Sequence, residues 1–220
     1  MTNLKLKGKN ILVTAGSTWI KIDTVRVITN IFKGKIGLTI AKLAADMGAN
    51  VTLLLGSSLD VSNYVPPANL RIVRFRYFDE LDDLITRELK EKRFDAVIHS
   101  AAVSDFKLSK EYDGKISSSN EKIILELIPT RKIVDGIKKI TPSTFLVKFK
   151  LEVGITVDKL MSIALKSLKK SKADLIVANI YNQSFNDHEA YIMDSHGFSE
   201  KVTGKENIAL HVLNHIYGKE

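Results

Sequence analysis

Short runs of β-branched and aliphatic residues alternate along the chain with longer segments whose apolar positions recur every third or fourth residue. Asn10–Thr14, Asn50–Leu55, Leu70–Phe75, Ala96–Ser100, Phe145–Phe149 and Leu175–Asn179 carry the first pattern and predict strands. Several are apolar almost without a break, as parallel strands covered on both faces are. The second pattern predicts helices over Gly34–Met47, Phe78–Lys92, Lys132–Ile140 and Val157–Lys170. In the first helix Ile36, Ile40, Leu43, Ala44 and Met47 share one face, and Gly48 stands where a helix stops. This alternation implies an α/β fold: a doubly wound, Rossmann-like, mostly parallel sheet. The tail breaks the rhythm. Glu189–Met193 and Phe198–Val202 flank the turn-rich Asp194-Ser195-His196-Gly197 and predict a C-terminal antiparallel hairpin. Thr203 with Glu206 reads as a capping box opening a last helix that ends near Tyr217.

The 220 residues are read as a single domain, 1–220, with ample length for a core. No apolar run nears the ~20 residues that span a bilayer. The apolar run Ile11–Val13 near the start is too short for a secretion signal, whose core takes roughly 7–15 residues. Cysteine is absent, which excludes disulfides, thiolate metal sites and a cysteine nucleophile, and fits a cytoplasmic setting. The formal charge is +8, spread along the chain, and aromatics make up only 7%. That pattern favours small anionic ligands over nucleic acid or a membrane surface.

Candidate chemistry gathers at the ends of predicted strands. Gly16, Ser17 and Thr18 follow the first strand, where small and hydroxylated residues let phosphate approach backbone N–H groups. The chain then makes an excursion, Trp19 to Lys33, before the Gly34-Lys35-Ile36-Gly37 helix start. Arg26 in that excursion could clamp a phosphate or pair with Asp23. Asp105 follows the fourth strand, at the carboxyl edge where such sheets bind ligands. The long polar stretch Ser104–Asn120, carrying Lys107, Lys110 and Lys115, reads as a functional lid. Lys166 and Lys170 share a helical face, and could either reach a triphosphate or stay solvated. His99 is read as a core or substrate-lining residue. No cluster of metal-binding side chains stands out, so no protein metal site is expected.

The segment Asp23-Thr24-Val25-Arg26-Val27-Ile28-Thr29-Asn30, followed by Gly34 and Gly37, resembles the opening motif of phosphopantothenoylcysteine synthetases. Further blocks resemble that family in the same order over nearly the whole chain: His99-Ser100-Ala101-Ala102-Val103-Ser104-Asp105-Phe106, Gly114-Lys115-Ile116-Ser117, Lys148-Phe149-Lys150-Leu151-Glu152 and Lys170 through Asn179. The resemblance implies a ligase of coenzyme A synthesis. It would join 4′-phosphopantothenate to L-cysteine through an acyl-nucleotide, with a nucleoside triphosphate and Mg2+. It implies that Asn30 contacts the acyl phosphate and that Lys115, on a mobile loop, assists conversion of the intermediate. Asp105 would contact the nucleotide, Ala101 and Ala102 would admit it closely, and Phe149 would lie beside its base. It further implies a homodimer and a separate phosphopantothenoylcysteine decarboxylase.

Departures from the family pattern lie at Ser17, at Ile31-Phe32-Lys33 and at Lys148. Lys33 is expected to replace a missing hydroxyl at the phosphate, with Gly34 beside it. CTP is favoured over ATP by the resemblance, with no deciding residue. Two other readings remain open from the residues alone. One is an NAD(P)-dependent oxidoreductase of the short-chain type, although no G-x-G-x-x-G follows the first strand. The other is a non-catalytic nucleotide-binding protein.

Overall fold

The structure is a computed structural model and describes residues 6–119, 122–181 and 188–218. Asn120, the far end of the predicted lid, lies outside the described residues. In chain order the elements are β1 (Asn10–Ala15), β2 (Trp19–Lys21), β3 (Val27–Thr29), α1 (Lys35–Asp46), β4 (Asn50–Gly56), β5 (Leu70–Phe75), α2 (Phe78–Glu91) and β6 (Ala96–His99). There follow β7 (Phe106–Leu108), β8 (Leu127–Pro129), α3 (Val134–Ile140), β9 (Phe145–Val153), α4 (Val157–Ser171), β10 (Leu175–Tyr181), β11 (Glu189–Asp194), β12 (Ser199–Thr203) and α5 (Lys205–Tyr217).

An eight-stranded sheet runs β12-β11-β10-β9-β6-β1-β4-β5. From β5 through β10 neighbouring strands are parallel, and β11 and β12 add on antiparallel. Strand alternation divides the core. Ile11, Val13, Leu53, Leu55, Leu175 and Val177 face α1 and α5, while Leu12, Leu54, Val97 and Leu146 face α2 and α3. Ile176 and Ala178 pack on α4. The sheet is therefore covered on both faces, as its unbroken apolar runs require.

The predicted Rossmann-like sheet and terminal hairpin are both present, and Gly48, at φ +95°, ends α1. The differences are local. β9 runs on to Val153 and β10 to Tyr181, because residues 150–153 pair in register with 178–181. The excursion after β1 holds a two-stranded ribbon, β2 with β3, and the predicted lid begins in β7, which pairs with β8. The Thr203–Glu206 capping box is not formed. Thr203 ends β12, Gly204 at φ +91° starts α5 with no side-chain cap, and Asn207 Nδ2 donates to Thr203 O at 2.9 Å.

Chain order reverses between β1 and β6, which marks their carboxyl ends as the place where sheets of this kind bind ligands. Every site residue proposed from sequence sits at or beyond this edge of the sheet or on the helix flanking it. Leu53, fully buried at the sheet centre, tests the core. Leu53→Ala is expected to cost about 3 kcal/mol, and to lower the melting temperature by about 6–12 °C in a calorimetric scan.

Candidate active site at the carboxyl edge of the sheet

The excursion of residues 19–33 closes on itself. Gly34, at φ +87°, lies so near Gly16 that a Cβ there would stand 2.0 Å from the Gly16 amide nitrogen. Gly16, at φ +86°, in turn abuts the backbone of Gly56. At Gly37 a Cβ would meet Ser100 Oγ at 2.3 Å, so α1 rests directly on the ends of β1 and β6. Three glycines thus allow the chain to leave the sheet, build a ribbon and return to its point of departure.

Hydrogen bonds then tie that ribbon to the loop after β6. Ala102 N donates to Gly16 O at 2.8 Å, and Thr18 N to Ala102 O at 3.3 Å. Asn30 Nδ2 donates to the same Ala102 carbonyl at 3.1 Å. Asn30 is exposed, and its amide carries a second N–H and a carbonyl oxygen beyond this bond. Gly16, Asn30, Gly34 and Ala102 therefore converge, with Ala101 adjacent.

Ser17 and Thr18 are placed differently from a phosphate-binding expectation. Both are fully buried. Ser17 Oγ donates to Ser58 Oγ at 3.2 Å and accepts from Thr29 Oγ1 at 3.1 Å, and Thr18 Oγ1 donates to Ser104 Oγ at 3.0 Å. These hydroxyls hold the loop's shape. Thr29, Ser58, Ser100 and Ser104 belong to this scaffold and were not singled out from sequence, where lone hydroxyls carry no pattern.

Arg26 and the loop of Lys115 meet through Asp23. The Asp23 carboxylate, 2% exposed, accepts from the backbone N–H of Val25 (2.9 Å), Arg26 (2.8 Å) and Ile116 (3.1 Å), and pairs with Arg26 Nη1 at 2.9 Å. The Arg26 guanidinium also donates to Ile116 O, and Thr24 N donates to Gly114 O at 3.1 Å. Arg26 thus fastens the lysine loop to the excursion. Burial, the largest single influence, pushes the Asp23 carboxyl up, but these N–H donors and the Arg26 charge outweigh it, and the net value is lowered. Lys115 itself is exposed beside this clasp, with no hydrogen bond or ion pair among the described residues. Lys33 is likewise exposed.

A cationic cluster occupies the β6–β9 end. Asp105 is exposed and ion-paired with Lys132, which sequence reasoning did not single out. Lys170 reaches Asp135 on α3 at 3.7 Å, whereas Lys166 stands exposed one turn earlier. Phe149 is half-buried against the α1–α5 side of the core. His99 is buried beside Thr14, whose hydroxyl lies 3.0 Å from Nδ1 and accepts from Ala101 N. Burial, with Lys148 nearby, lowers the His99 value to about 4, so the ring is a neutral core group. Among the described residues no group of His, Asp and Glu could hold a metal ion, and no helix is long and apolar enough to cross a membrane.

Residues 6–219 match the family described as the DNA/pantothenate metabolism flavoprotein C-terminal domain. The chain belongs to that family. The coenzyme A biosynthesis bifunctional protein CoaBC of Thermococcus kodakarensis is 38% identical over 197 residues, which cover 90% of this chain and 47% of the relative. The chain spans about half the length of the curated relatives it matches. The crystal structure of the DNA/pantothenate metabolism flavoprotein from Streptococcus pneumoniae aligns with a TM-score of 0.85 at 32% identity, over 97% of this chain and 100% of that one. A Cab2 mutant in complex with phosphopantothenate-cysteine aligns with a TM-score of 0.75 at 17% identity, over 96% and 88%, a likeness of fold.

Two outcomes follow from the geometry. Gly34→Ala is expected to displace the excursion or unfold the site, because the added carbon meets backbone; amide exchange in residues 16–34 should rise sharply. Asp23→Asn is expected to raise amide exchange at Gly114 and Ile116 with little change in the core strands. In the native chain the Asp23 contribution is whole above its ordinary value of 3.8 and is lost as pH falls through the lowered folded value. Exchange at Ile116 should therefore increase on acidification below about pH 4.

Proposed function

We propose that this chain is a phosphopantothenate–cysteine ligase of coenzyme A biosynthesis, working through an acyl-nucleotide. The reading is supported most by the closed excursion. It sets the Asn30 amide and the Gly16–Gly34 backbone at the sheet's switch point, with the Lys115 loop fastened to the same ribbon, in a member of a pantothenate-metabolism family.

In the first step a carboxylate oxygen of 4′-phosphopantothenate attacks the α-phosphorus of CTP or ATP. The bond to the β-phosphate oxygen breaks and pyrophosphate leaves. In the second, the neutral amine of L-cysteine attacks the acyl carbon, the acyl–phosphate bond breaks, the nucleoside monophosphate leaves and the amine's proton passes to solvent. Activation is needed because a free carboxylate offers an amine no adequate leaving group. Asn30 is already oriented by its bond to Ala102 O, so its other N–H can donate to the acyl phosphate without adding a titrating group. Lys115 supplies charge against the oxygens that become negative during transfer, and its loop shields the anhydride from water. At the other end Asp105 and Lys132 take the ribose side of the nucleotide, while Lys166 and Lys170 face its phosphates. Asp105 and Asp135 already hold lysines, so magnesium would be held by phosphate oxygens and water. A homodimer and a decarboxylase that takes the product onward complete the proposal.

The test is incubation with 4′-phosphopantothenate, L-cysteine and either CTP or ATP, following pyrophosphate and the new amide. Amide formation with one nucleotide is expected. Asn30→Ala should lower kcat/KM at least 100-fold, in line with loss of one oriented donor to a developing oxyanion. Lys115→Gln should slow the second step and let the acyl-nucleotide accumulate. Pyrophosphate release that requires no phosphopantothenate would contradict the reading.

A further inference from the structure

Lys148 is a lysine in the middle of a sheet. It lies on β9 in register with His99 of β6 and Ile176 of β10, and is 7% exposed. Its stem follows Leu146 toward the helices of the α3–α4 face. The ammonium donates to Ser167 O at 3.2 Å and to Ser171 Oγ at 3.1 Å, and Ser171 Oγ donates back to Ser167 O at 3.0 Å. The ammonium therefore enters α4 between two positions one turn apart, each the immediate neighbour of a surface lysine, Lys166 and Lys170.

The charges around it do not balance locally. The groups that act on Lys148 are Asp135, Lys150, Lys170 and Lys132. Each nearby carboxylate is already engaged: Asp135 by Lys170, Asp105 by Lys132 and Glu152 by Lys150 at 2.7 Å. Among the described residues Lys148 has two hydrogen-bond acceptors and no ion-pair partner. Burial pushes its ammonium below the ordinary lysine value, and the three surrounding lysines push the same way against Asp135. A buried cation without a counter-charge is costly, and a methionine of similar length would pack there at less expense. The arrangement makes sense if an anion completes it.

We infer that Lys148 is a positioning residue for the nucleotide's phosphates: it pins the C-terminal half of α4 to β9, so that Lys166 and Lys170 are aimed at the carboxyl edge above it. The inference rests on the ligase reading, and it names the part of that site that discriminates by phosphate charge. The anion it serves is a nucleoside polyphosphate, and a nucleoside or nucleoside monophosphate would engage the cluster less.

The experiment compares the full-length wild type with Lys148→Met, which keeps the stem and removes the charge, and Ser171→Ala, which keeps the charge and removes one anchor. Calorimetric titration with CTP, ATP and pyrophosphate is paired with steady-state kinetics in which each of the three substrates is varied in turn. Lys148→Met should raise the nucleotide Kd and KM about 10-fold, as loss of hydrogen bonds from a charged donor does. The KM values for phosphopantothenate and cysteine should stay within twofold, and kcat should fall less than the nucleotide KM rises. Ser171→Ala should give a smaller rise of about threefold by the same scale. A melting temperature that drops in either soluble variant while the nucleotide KM holds would reduce Lys148 to a structural staple and overturn the inference. If the wild type ligates with neither nucleotide, the ligase reading fails. The inference then stands or falls on the titration alone, and equal pyrophosphate affinity in wild type and Lys148→Met would overturn it.

Discussion

The contact between Gly34 and Gly16 is the constraint on which the rest of the site depends. A chain that leaves the end of a parallel strand and enters its helix directly has room for a tight phosphate turn and little else. Here it detours through a ribbon and returns to within a side chain's width of its departure point. At the contact itself both residues lack a Cβ and stand at positive φ, which is what permits that return. Because the loop is closed, the ribbon has a fixed place over the switch point, and Asn30 reaches Ala102 across it. The buried Asp23 carboxylate then extends the same order outward to the Lys115 loop.

Division of labour between the two ends of the site follows from charge. Around Gly16 and Asn30 the donors are amides, hydroxyls and backbone. Around β9 the donors are lysines, partly matched by Asp105, Asp135 and Glu152. A neutral polar end suits a reacting acyl group, whose charge changes during transfer. A cationic end suits phosphates, whose charge is present throughout.

Much of this was legible in the residues. Nearly unbroken apolar runs marked β1, β4, β6 and β10 because these strands are buried on both faces for most of their length, and Gly48 marked the end of α1 because a left-handed residue stops a helix. The short strands β2, β3, β7 and β8 were not legible. Each has three residues, too few for alternation to register, and their pairing is decided by the closed loop and not by local propensity. In the site, Asn30, Gly34 and Ala102 stood out by motif, and the structure brings them together around Gly16, while Asp105 lies apart from them on Lys132. Ser17 and Thr18 were read as phosphate donors, yet both face inward, because a hydroxyl serves a scaffold as well as a ligand and sequence does not tell which way it turns. Arg26 left two readings open, and the structure shows its guanidinium on buried Asp23 and the Ile116 carbonyl.

The central claim is that this closed loop holds a carboxyl group while it is bonded to a nucleotide's α-phosphate. The most direct measurement uses 4′-phosphopantothenate labelled with 18O in its carboxylate, turned over with cysteine and the preferred nucleotide, with mass analysis of the phosphate products. The account predicts that the nucleoside monophosphate carries one 18O atom and that pyrophosphate carries none. Label in inorganic phosphate or pyrophosphate, or unlabelled nucleoside monophosphate alongside amide formation, would contradict it.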